Sequence, residues 1–182
     1  MKNIKKQEGF TLVEILMATA IFAIASLIIC GIFINASNLQ SQVSNYQKLQ
    51  NDGRYIIEKI AKELRAKDVI LIYPSDNPTS TLSFYTDEAG NNISIYFDSS
   101  TQSLIYKKNT DSAPLNSSDI LVKRAKFFIY PTLDPFNTNS ASTTPDIQPR
   151  ITLLLDIANI STPKYQKELI IQTTISSRIY KR

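Results

Sequence analysis

The sequence predicts an α+β fold in which one long amino-terminal helix, apolar in its first half and amphipathic in its second, packs on an antiparallel β-sheet domain. Three observations carry this. Residues 10–34 form an unbroken apolar run. Residues 35–67 continue without proline and repeat their apolar positions at helical spacing. From Val69 onward the repeat shortens to two, and turn residues punctuate the chain. A helix followed by a series of strands is the order of an α+β protein whose helix is segregated from its sheet.

The apolar run, FTLVEILMATAIFAIASLIICGIFI, holds one charged side chain, Glu14, and no proline. As a helix it reaches roughly 37 Å, enough to cross a hydrocarbon core of about 30 Å with some tilt. A carboxylate within such a span costs on the order of 2.5–3.5 kcal/mol, so Glu14 is a functional candidate. The run does not read as a cleaved secretory signal. Ala18-Thr19-Ala20 has the small-x-small pattern, but Glu14 precedes it and apolar sequence continues to Ile34.

In front of the run stands MKNIKKQEG, a basic leader ending in a small residue. Gly9-Phe10-Thr11-Leu12-Val13-Glu14 resembles the processing motif of type IV pilins and type II secretion pseudopilins. The resemblance implies that a prepilin peptidase cuts after Gly9 and methylates the new amino terminus at Phe10. It gives Glu14 an assembly role, pairing with that amine. It also implies partners: other major and minor pilin or pseudopilin subunits and an inner-membrane assembly platform. The expected organisation is a leader over 1–9, a membrane and filament-core helix over 10–34, its amphipathic continuation over 35–67, and a β-rich domain over 68–182.

Charge supports this orientation more than it suggests a ligand. The formal net charge is +4, of which the leader supplies +2 through Lys2, Lys5 and Lys6 against Glu8. Lysines on the amino-terminal side hold that end in the cytoplasm, which puts the carboxy-terminal domain across the membrane. No dense basic patch follows, so nucleic-acid binding has little support. The single cysteine, Cys30, lies in the apolar run, and an intramolecular disulfide is excluded.

Along the amphipathic half, Leu39, Val43, Tyr46, Leu49, Gly53, Ile56, Ile57, Ile60, Ala61 and Leu64 share one face. That stripe needs a partner surface, which the rest of the chain must supply. Gly53, on the stripe, marks a close approach of helix to sheet. Glu58 with Lys62, and Glu63 with Lys67, are favourably oriented i,i+4 pairs, worth about 0.2–0.5 kcal/mol each. Gly31 interrupts the apolar half where pilins often carry proline. It reads either as small-residue packing or as a point where the helix melts during assembly.

Seven strands are expected: 69–73, 82–85, 93–97, 103–107, 119–130, 150–157 and 168–178. The run DILVKRAKFFIY is long enough for a bent strand. Residues 131–149 hold four of the eight prolines and a Ser/Thr/Asn run, and are expected to be mobile.

Catalytic chemistry has no foothold in the composition. There is no histidine, which removes the commonest general base and metal ligand. No phosphate-cradling loop, nucleophile elbow or Cys/His cluster occurs. Asp87 and Glu88 are adjacent but sit in a turn. Asp98, Asp111 and Asp119 are scattered through loops without the spacing of a calcium loop. No cofactor or metal is expected, and an enzyme is the least supported class. The readings that remain are a minor pseudopilin at the tip of a type II secretion-like filament, most like J-type pseudopilins, and a minor pilin of a type IV pilus or DNA-uptake filament.

Overall fold

The structure, a computed structural model, describes residues 9–66, 69–86, 90–135, 147–160 and 166–177. Helix α1 spans Leu12–Leu64 without interruption. It runs through two compact units, Met1–Val43 and Ser44–Arg182.

In the first unit the helix buries none of its apolar side chains, and Cys30 is exposed. Two of its hydroxyls bond back to their own helix: Thr19 Oγ1 donates to Leu16 O at 3.0 Å and Ser26 Oγ to Phe22 O at 2.8 Å. Such bonding satisfies these two groups without water. Gly31 lies inside the helix with open space where a Cβ would stand.

In the second unit the helix buries Leu49, Gly53, Ile56, Ile60 and Leu64, a spacing of three and four residues. Among the described residues eight strands follow. The first sheet contains β1 (Val69–Ile72), β2 (Thr81–Thr86), β3 (Asn91–Asp98), β4 (Ser103–Lys108) and β5 (Asp111–Pro114). The second contains β6 (Ile120–Tyr130), β7 (Arg150–Asn159) and β8 (Glu168–Ser176). Within each sheet consecutive strands pair antiparallel; β5 and β6 are not paired. The core joins the helical stripe to alternate residues of both sheets, among them Phe84, Ile95, Phe127, Leu153 and Leu155. The α+β class expected from the sequence is the one observed.

Four details differ from the sequence expectation. The strands form two sheets instead of one. The chain leaves the first sheet at Asn116, whose buried carboxamide accepts from Leu104 N at 3.0 Å and donates to Ile120 O at 2.7 Å, tying β4 to β6. β5 was not expected, because all four of its residues are exposed and nothing in them alternates. The stripe is buried only from Leu49 onward, whereas Leu39, Val43 and Tyr46 are exposed. Finally, in place of the expected Glu58–Lys62 pair the helix shows Arg54–Glu58 at 3.6 Å and Lys59–Glu63 at 2.7 Å, while the expected Glu63–Lys67 pair involves a residue outside those described. Lys59 lies 5.0 Å from the centre of the Tyr106 ring on β4, and this contact turns it toward Glu63. Glu63 in turn holds the Lys59 pKa above its ordinary value.

The expected bend in the fifth strand is present as an irregularity between Val122 and Arg124 in β6. Gly53 meets the second sheet as read: a Cβ there would collide with Ile171 Cδ1 and lie 3.4 Å from Ile157 Cδ1. Two polar ties fix this part of the helix over the link between the sheets. Ser117 N donates to Asp52 Oδ2 at 2.8 Å, and Lys48 pairs with Asp119 at 2.9 Å. Most of the 131–149 segment, together with Asp87, Glu88 and Lys67, lies outside the described residues.

Candidate functional site

The segment that carries the sequence motif, Gly9 to Glu14, is the head of α1. Gly9 and Phe10 precede the helix in exposed, non-helical chain; Phe10 is 83% exposed, and no atom stands within 4 Å of a Cβ built on Gly9. Nothing among the described residues shields the Gly9–Phe10 peptide bond.

Thr11 is the helix N-cap. Its Oγ1 accepts from Glu14 N at 3.3 Å, while Glu14 Oε2 accepts from Thr11 N at 2.9 Å and from Thr11 Oγ1 at 3.0 Å. This is a reciprocal capping box, in which a threonine and a glutamate three residues on satisfy backbone donors the helix leaves orphaned. Ile15 N donates to Thr11 O at 3.3 Å, the first turn of the helix. The sequence reading singled out Glu14 for its charge and missed Thr11. The T-x-x-E spacing before an apolar run was the available signal.

The cap has two consequences. It terminates the helix after Phe10, so the bond before Phe10 stays in non-helical backbone. It also fixes the Glu14 carboxylate at the positive end of the helix dipole, on the same turn as the Phe10 nitrogen. Both bonds from Thr11 converge on Oε2; among the described residues, Oε1 accepts none. The geometry therefore presents an accessible peptide bond, and one turn beyond it a carboxylate with an oxygen in reserve.

The three aspartates considered for calcium are separately engaged. Asp98 accepts from Ser100 and Thr101, whose hydroxyls hold its pKa below the ordinary carboxylate value. Asp119 pairs with Lys48, and Asp111 opens β5. Among the described residues no three His, Cys, Asp or Glu side chains converge as a metal site would require.

Residues 4–29 match the prokaryotic N-terminal methylation motif, the signal of type IV pilin-like proteins. The match covers the leader and the first part of the apolar helix and stops well short of the β-sheets. No curated protein and no solved structure matches the chain. That motif is the one through which pilins and pseudopilins are processed by prepilin peptidase and assembled with one another, and the apolar head of α1 is long enough to cross a membrane.

Proposed function

We propose that the protein is a minor pseudopilin, a non-enzymatic structural subunit of a type II secretion-like filament. It is anchored by α1 with its amino terminus in the cytoplasm and its Ser44–Arg182 unit outside. Prepilin peptidase cuts after Gly9, Phe10 becomes the N-methylated first residue, and the subunit enters the filament near its tip. The observation that carries the reading is the coincidence of the methylation motif with an exposed Gly9–Phe10 bond directly ahead of a capped apolar helix.

The chemistry of maturation follows from the cap. Before cleavage the Phe10 nitrogen is an uncharged amide. Cleavage turns it into a cation, and a neighbouring subunit's amine can then approach Glu14 Oε1 in a low-dielectric surrounding. Pairing offsets the cost of burying the carboxylate and sets the axial register between subunits. Assembly is thereby licensed by processing.

The test is intact-mass analysis of the chain co-expressed with a prepilin peptidase. The expected species has lost residues 1–9 and gained one methyl group at Phe10. A mature mass that retains Met1 to Gly9 sinks the reading, as does loss of the leader at any other bond.

A further inference from the structure

We propose that the outer edge of β8 is a self-association site, at which β8 of a second copy of the chain adds antiparallel in a two-fold register centred on Gln172. This goes beyond the proposed function and does not depend on it.

The argument begins with which backbone groups of β8 are already used. Asn159 N donates to Lys167 O and Ser177 N to Pro149 O, so both ends of the β7–β8 ladder place odd-numbered β8-side residues in hydrogen-bonded pairs. The ladder between them is continuous and without a bulge. Antiparallel pairing alternates, so Leu169, Ile171, Thr173 and Ile175 exchange bonds with β7. Glu168, Ile170, Gln172, Thr174 and Ser176 therefore aim their N–H and C=O groups away from β7. Among the described residues no strand lies beyond them.

An open edge of this kind is a hazard that proteins usually blunt, and the other edges here are blunted. β1 and β5 have four residues each, and β5 carries Asp111 and Pro114. The far edge of β6 is occupied: Thr79 exchanges two backbone bonds with Phe127, at 2.9 and 2.8 Å, and the Asn77 side chain bonds both N and O of Ile129. β6 also has its irregularity and three cations, Lys123, Arg124 and Lys126. β8 has none of these devices. It is nine residues long, reads ELIIQTTIS, contains no proline, glycine or lysine, and exposes Ile170 by 60%.

The placement of charge selects the partner and its direction. Glu168 is the one charged residue in β8, at its first position, where Lys123 already pairs with it. Parallel self-pairing in register would set Glu168 beside Glu168. Antiparallel pairing sends the two to opposite ends, roughly 27 Å apart at about 3.4 Å per residue, far beyond the screening length of about 8 Å. A centre at Gln172 is the register that overlaps all nine residues. It places Ile170 against Thr174, Glu168 against Ser176 and Gln172 against itself, and every outward backbone group finds a mate. On the outer face Gln172 lines a groove with Phe128, Thr152 and Leu154, and the pairing would continue that face from one copy into the next.

Site-directed crosslinking of the full chain, with Cys30→Ser to remove the native thiol, tests this. Residues paired across the two-fold come within about 5.5 Å between Cα atoms, inside the range of a disulfide. Gln172→Cys is expected to give a disulfide-linked dimer on mild oxidation. Ile170→Cys and Thr174→Cys are each expected to give none alone, but a mixed dimer when combined. Thr174→Pro, added to Gln172→Cys, removes an outward N–H and the exposed Thr152–Thr174 hydroxyl contact, leaves the backbone bonds to β7 in place, and is expected to abolish the dimer while thermal unfolding stays cooperative. The proposal is overturned if Gln172→Cys stays monomeric, or if Ile170→Cys links to itself as readily as Gln172→Cys does. The Ile170 and Thr174 pattern decides the register even if the proline variant does not fold.

Discussion

Replacing Gly53 by alanine tests the packing of α1 on the second sheet, because two opposed effects of similar size meet at one atom. Alanine gains about 1 kcal/mol over glycine in a helix interior. Against this, the new methyl group falls within the space of Ile171 Cδ1, and adding a methyl to a packed contact costs about 1–3 kcal/mol. Gly53→Ala should therefore destabilise the fold by up to about 2 kcal/mol, which for a unit of this size lowers Tm by several degrees. The obstacle is one terminal methyl group, and Ile171→Val removes it. In that background the clash is gone, the helical gain remains, and Gly53→Ala should stabilise by up to about 1 kcal/mol. The assay is denaturant and thermal unfolding of a fragment starting at Ser44, so that buried Leu49 and the Lys48–Asp119 pair are kept. The reasoning fails if Gly53→Ala alone is as stable as the parent, or if the two substitutions add to within about 0.5 kcal/mol, the range expected of independent sites.

Three further outcomes are expected. Asn116→Ala should cost about 2–4 kcal/mol in the same unfolding assay, because Leu104 N–H and Ile120 C=O both lose their buried partner. Tyr73 presents a buried hydroxyl that has no hydrogen-bond partner among the described residues, and burial, with the charge of Asp134 second, pushes its pKa well above the ordinary 10.0. A raised folded-state pKa gives stability that is present below pH 10 and lost as pH climbs past it, so Tyr73→Phe should hold or gain up to about 1 kcal/mol at neutral pH and flatten part of the alkaline decline. At the helix head, Glu14→Gln preserves the capping box and removes the charge, whereas Glu14→Ala removes both. Both should be cleaved and inserted normally and both should lose co-purification with partner subunits; if Glu14→Gln assembles like the parent, the carboxylate acts through the cap and not through the amine.

How far the sequence revealed this molecule depended on whether one element's own residues carried the signal. The helical stripe from Leu49 onward, the alternation in β2, β3 and β8, and the tight contact at Gly53 are each written in spacing, and each was readable. The division into two sheets was not. The junction is held by long-range bonds, the buried Asn116 carboxamide and the Val122 N to Gln102 O bond among them, and an asparagine in a polar stretch looks like any turn residue. β5 escaped for a related reason: it exists because β4 offers it an edge, and none of its residues is buried. The Lys59–Glu63 pair on the helix comes with a tertiary contact, Lys59 over the Tyr106 ring, that the helix's own spacing does not show. At the head of the helix, Gly9, Phe10 and Glu14 stood out as a motif, while Thr11 was overlooked although the T-x-x-E spacing was present.

Because within each sheet every strand after the first pairs with the one before it, the chain can build its sheets hairpin by hairpin as it is delivered, and few strands must wait for a distant mate. The helix is the exception. Its Gly53 face rests on Ile157 and Ile171, so the first element to emerge is completed by the last two strands. Until β8 arrives, the part of the stripe around Gly53 lacks its Ile171 cover. A truncation that removes β8 would therefore cost more than one edge strand, uncovering the Gly53 face of the oldest part of the nascent chain and inviting capture by a chaperone or a protease.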